Sequence, residues 1–191
     1  MHDLTISSEQ LRAVYQELAQ RHLEADEMLS KIDEPELMLL KAHLLIEEVL
    51  FALLSHKMKN AVPLERARLT FSQLVSLVNG LYDGEDLGGA WLYIACHLLN
   101  KIRNRLAHNA KPEGLQEDIS SFVSFVMEND KPKNPPLDQL RFALSSIHGC
   151  FAGILALHKK VALVPECFGG MTFQTKIMLS KVLAHGNSVN A

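Results

Sequence analysis

Apolar positions recur three and four residues apart along nearly the whole chain, the spacing of helices that each bury one face. The first such run is "ISSEQLRAVYQELAQRHLEADEMLSKI". It opens with Ser7 and Gln10 at capping-box spacing and continues through Leu11, Val14, Tyr15, Leu18, His22, Ala25 and Leu29. Asp33 to Pro35 starts a second helix, because proline suits a first helical turn and acidic residues favour that end. The second helix, "ELMLLKAHLLIEEVLFALLSHKMK", is apolar almost all round, which predicts a central element covered on most sides.

"NAVP" breaks this helix, and "LERARLTFSQLVSLVNGLY" follows as the third, with Leu69, Leu74, Val75 and Val78 on one side. "DGEDLGG" is a loop by composition. A fourth helix carries "WLYIACHLLNKIRNRLAHN" and is stopped by "AKPEG"; "LQEDISSFVSFVME" makes a fifth. "NDKPKNPP", with three prolines, cannot continue a helix. Beyond it the pattern predicts a long helix near 137–163 and a shorter one near 171–185, joined by "VPECFGG". No alternating strand pattern, repeat or phosphate-cradling glycine loop is present; Gly88-Gly89 and Gly169-Gly170 are loop signals. The expectation is an all-α protein: a five-helix bundle over 1–128, a proline-rich linker at 129–136, and a C-terminal helical pair over 137–191 packed on the bundle.

Composition narrows the class. The 191 residues suffice for one domain with a real core. Hydrophobic residues at 48% and charged residues at 21% are ordinary for a globular protein. A net charge of −3 supplies no overall basic field, so any contact with nucleic acid needs a local patch. Cys96, Cys150 and Cys167 are widely spaced and odd in number, which argues for small buried hydrophobes rather than a disulfide framework or a zinc site. "MHDLTISSEQ" has no apolar signal-peptide region, and the most apolar stretch, 142–157, is broken by Ser145, Ser146 and His148. A cytoplasmic location and no membrane are expected.

The fourth helix holds the chemistry. At 100° per residue, with His97 at zero, Asn100, Lys101, Asn104 and His108 fall within about 60° of it. Trp91, Ala95, Leu98, Leu99, Ile102 and Leu106 gather on the opposite side and are the expected buried face. Arg103 and Arg105 flank the polar stripe on either side. Periodicity alone makes this a solvated face. Two features set it apart: it carries Asn, His and Arg where a plain solvated face carries Glu, Lys and Gln, and no acid stands four residues away to neutralise the charges. A histidine moves protons near neutral pH, an arginine grips a phosphate, and an amide orients either. Arg103 and His108 are about 140° apart on the helix, so a long side chain, a frayed helix end or a second copy must bring them to one point.

"RNRLAH" resembles the motif of the HEPN superfamily, with Arg103, Asn104 and His108 in the motif positions. "KAHLLIEEVLFALLSHK" looks like that family's central helix, and the resemblance runs over 35–127. It implies a metal-independent endoribonuclease without cofactor, working as a homodimer whose motif helices build one cleft, in a toxin, defence or stress setting. His108 is then the general acid or base, Arg103 steadies the phosphorane-like charge, and Asn104 orients the phosphate. The branch whose motif continues to a tyrosine two residues after the histidine has Ala110 here. The layout is also similar to the mannitol operon repressor family, which implies instead a non-catalytic helical regulator; an antitoxin or regulatory protein is the partner these resemblances suggest.

Other candidates surround the motif. His43 and Glu47 stand four apart on the central helix, readable as support for Arg103 or His108 or as an ion pair within the bundle; HxxxE is not the HExxH zinc pattern. Lys101, Arg105 and Lys111 read as a basic rim that contacts RNA phosphates, or as plain surface charge. His97 reads as a rim residue. Cys96 and His97 lie on adjacent helix faces, the wrong geometry for a nucleophile pair.

Overall fold

The computed structural model describes residues 8–82, 90–108, 113–128 and 135–160. Seven helices account for them: α1 (Ser8–Leu29), α2 (Pro35–Lys57), α3 (Val62–Arg66), α4 (Phe71–Tyr82), α5 (Trp91–His108), α6 (Leu115–Met127) and α7 (Leu137–Lys160). No strand occurs among the described residues, and the all-α expectation is met. No helix among them is long and apolar enough to cross a membrane. Ser7, the side chains of Gln10, Leu11, Val14 and Tyr15, the glycine pairs, Ala110, Lys111, the linker at 129–134, Cys167 and the helix expected near 171–185 lie outside the described residues.

α2 is the central element, packed by α4, α5, α7 and, at one end, α1. Pro35 begins it, as its missing N–H and fixed φ favour. Met38, Leu39, Ala42, Ile46, Leu50 and Leu53 are sealed in the core. The all-round apolar pattern is nevertheless not covered all round: Leu37, Leu40 and Leu44 are exposed.

The expected third helix is two helices. Arg68 turns the chain through the left-handed region (φ 48°), and Thr70 then restarts it. The Thr70 backbone N–H donates to Gln73 Oε1 at 2.8 Å, and the Gln73 N–H reaches back to Thr70 Oγ1 at 3.4 Å. This is a capping box spelled "TFSQ", a stronger start signal than the propensity of the residues before it.

α7 lies along α1 and also packs on α2, so its residues Leu140, Leu144, Ile147, Phe151 and Ile154 share one core with the bundle. Gly149 and Gly153 let the two helices approach closely. A β-carbon at Gly149 would stand 2.7 Å from the His22 Cα and backbone N, and one at Gly153 would overlap Leu18. His22 and His148 are buried in this interface. The His22 ring meets Phe142 edge-on at 5.0 Å, and Arg141 pairs with Asp26 at 3.2 Å. Burial lowers the pKa of both histidines, with the Asp26 charge pulling the other way at His22 and Glu24 at His148.

Candidate functional site

α5 buries Leu92, Tyr93, Ala95, Cys96, Leu99 and Ile102, while Trp91, Leu98 and Leu106 are only half-buried. The buried face is thus turned from the expected one toward Cys96 and Tyr93, because α2, α4 and α7 as well as α6 pack on this helix. Cys96 behaves as the expected small hydrophobe, and burial pushes its thiol pKa up. His97, Lys101, Arg103, Asn104 and His108 are exposed, and Asn100 is half-buried. The polar stripe read from the sequence is therefore a real surface of the helix, running to its last residue.

The two flanks of that surface meet different neighbours. On the α6 side, Lys101 Nζ is 2.9 Å from Asp118 Oδ1 and Arg105 Nη1 is 3.0 Å from Oδ2. The second contact is an ion pair without hydrogen-bond alignment; Arg105 Nη1 donates instead to the Glu113 carbonyl at 2.9 Å. Gly114 makes room for this: its φ is 72°, and a β-carbon there would stand 2.9 Å from Arg105 Nη1. Two of the three cations expected to contact RNA thus share one carboxylate, and Lys111 lies outside the described residues.

On the α2 side stands His43, 4% exposed. Its ring stacks on Phe71 with centroids 4.0 Å apart. Nε2 is 3.4 Å from Asn100 Oδ1, and Nδ1 is 3.8 Å from Glu47 Oε2. A neutral imidazole with its N–H on Nε2 already satisfies the Asn100 oxygen; protonation would add only attraction to Glu47, which at 3.8 Å is beyond hydrogen-bond reach. Burial nevertheless dominates and lowers the His43 pKa to about 4; the Asn100 contact opposes this and the Arg103 charge adds to it. His43 is thus a neutral ring at physiological pH, and Glu47 stands beside His43 rather than Arg103 or His108.

Arg103 stands on this second flank, beyond Asn100 around the helix. Its Nη1 donates to Asn104 Oδ1 at 3.1 Å, which sets the guanidinium along the helix surface. Among the described residues no carboxylate pairs with it. His43, Glu47, Asn100, Arg103 and Asn104 thus gather at one corner of α2 and α5. His108 stands exposed at the C-terminal end of α5, and no contact brings it to Arg103 within one chain.

Sequence reasoning missed Asp118 and Phe71. Asp118 sits in the first turn of α6, where an acid reads as an answer to the helix dipole. Phe71 sits at the start of α4 and reads as core. No set of three or more His, Cys, Asp and Glu side chains placed to hold a metal ion occurs among the described residues. Comparison of the chain with protein-family models, curated proteins and solved structures finds no match.

Proposed function

We propose that the protein is a metal-independent endoribonuclease of the HEPN type, acting as a homodimer whose motif helices build one composite site. The observation that carries this reading is the exposure of Arg103, Asn104 and His108 on the last turns of α5, with Arg103 unneutralised by any described carboxylate. An unpaired guanidinium held by a neighbouring amide is free to take a phosphate bidentately. His108 takes the proton from the ribose 2′-hydroxyl or gives one to the departing 5′-oxygen. Attack of the 2′-oxygen on phosphorus then forms one P–O bond and breaks another. The products are a 2′,3′-cyclic phosphate and a 5′-hydroxyl. Arg103 offsets the charge that builds on the phosphoryl oxygens, and Asn104 holds Arg103 or the phosphate in place. Because Arg103 and His108 diverge on one helix, the reaction draws its base and its cation from different copies.

The test is incubation of the purified protein with single-stranded RNA in EDTA. Cleavage to cyclic-phosphate ends is expected, falling by about 10²–10⁴-fold in His108→Ala. Cleavage that persists unchanged in that variant sinks the assignment.

A second reading is favoured by the Asp118 ion pairs, which remove Lys101 and Arg105 from the charge available to RNA. It is a non-catalytic helical regulator similar to the mannitol operon repressor family, with the same polar face turned to a protein partner. RNA left intact by the wild-type protein under all conditions selects this reading.

A further inference from the structure

α2 exposes a line of leucines. Leu37, Leu40 and Leu44 are 51%, 37% and 55% exposed, although the rest of the helix is the centre of the core. They fall three and four residues apart, within about 60° of one another around the axis, which is the spacing of a helix–helix seam. Phe51, partly buried, continues the line by one heptad. Leucines so aligned are not the scattered apolar exposure that any surface shows.

The charges beside the line have a pattern. Lys41 and Glu48, both exposed, sit within about 20° of each other on one flank. The other flank is where α5 meets α2, through His43 and Asn100.

We propose that this stripe is the seam of a homodimer in which α2 packs antiparallel on its own copy, about a two-fold axis near Leu44. In an antiparallel pair with two-fold symmetry each flank meets the same flank of the partner, read in the opposite direction. Lys41 then lies beside the partner's Glu48, and the pair forms twice. Leu44 packs on its own copy, and Leu37 and Leu40 turn toward the partner's Phe51. A parallel pairing sets Lys41 against the opposite flank, where α5 already stands. Antiparallel helices also oppose their dipoles.

The arrangement deepens the proposed composite site. Since α5 lies on one flank of the stripe, the two-fold axis leaves both copies of α5 on the same side of the α2 pair. Arg103 and His108 of both chains then border one groove. This consequence rests on the nuclease reading, but the seam itself does not: its test reads mass, not RNA cleavage.

Sedimentation equilibrium of the full chain at micromolar concentration is the test. The wild type is expected to be a dimer. Leu40→Asp with Leu44→Asp is expected to be a monomer with unchanged circular dichroism, since both positions are exposed. Lys41→Glu is expected to weaken association about tenfold, and Lys41→Glu with Glu48→Lys to restore it. A dimer indifferent to the leucine changes overturns the proposal. A doubly swapped variant that stays weak overturns the antiparallel pairing. A monomeric wild type whose Leu44→Asp variant melts earlier means that the chain's own residues cover the stripe, and also overturns it.

Discussion

His43 and Asn100 meet across the junction of α2 and α5, Nε2 to Oδ1 at 3.4 Å, and through this contact the core of the bundle reaches the polar face of the motif helix. The ring is closed over by Phe71 and faces the Arg103 charge. It sits where protonation would strengthen its hydrogen bond to Asn100 but cost its burial.

That balance makes folding sensitive to acid. The folded pKa of His43, about 4, lies below the ordinary value of 6.5. The unfolded chain therefore binds more protons between those values, so stability is fully present above pH 6.5 and is lost as pH falls toward 4. The loss from this group reaches about 3 kcal/mol, with about 2 kcal/mol gone by pH 5. His22 and His148, whose pKa values are also lowered, add to it in the same direction. Urea unfolding at pH 7 and pH 5 should show a smaller difference for His43→Gln than for the wild type. Equal differences would mean that this ring does not titrate on unfolding.

Asp118 should act as a brake on any anion that approaches α5. Asp118→Ala frees Lys101 and Arg105, and the proposed RNA binding should tighten several-fold and become steeper in salt, by about one to two further phosphate contacts. Folding stability should fall by only about 1 kcal/mol, because Lys101 is exposed and Arg105 is partly so, which weakens both ion pairs. Fluorescence anisotropy with a labelled single-stranded RNA across a salt series reads the first effect. An unaltered salt slope would leave Asp118 a purely structural anchor.

Two glycines should respond in opposite senses to the same change. At Gly149 a methyl group meets the His22 backbone, which cannot swing aside, so Gly149→Ala should cost about 1–3 kcal/mol and loosen α1 from α7. At Gly80, within α4, nothing lies within 4 Å of the added carbon. Gly80→Ala should instead stabilise by about 0.5–1 kcal/mol through helix propensity. Thermal unfolding of the pair decides it: two shifts of the same sign would contradict the close approach of α1 and α7.

The helices were legible because each carries its own period, and Pro35 and the long α7 begin where their residues say. The break at Arg68 was also written locally, in "TFSQ", but propensity across "LERARLTF" obscured it. What α5 meets was not legible. Asp118 lies 17 residues from Lys101 and Asn100 lies 57 from His43, and a helical projection gives the direction of a side chain without its neighbour. The polar stripe was therefore found, while its division into an α6 flank of paired charges and an α2 flank with an unpaired arginine needed the fold. The exposed leucines of α2 were hidden by the same rule, since an all-round apolar pattern does not tell which side stays open.

The Arg105–Glu113 hydrogen bond spans eight residues, and His108 lies inside the span it closes. The hydrogen bond ties the residue that leads into α6 back to the helix that carries the motif, one turn before its histidine. The entropy of closing a loop grows only slowly with its length, by about 0.6 kcal/mol per doubling. Changing the number of residues between His108 and Glu113 should therefore cost the bundle little, so long as the Arg105–Glu113 hydrogen bond that anchors α6 to the motif helix is kept.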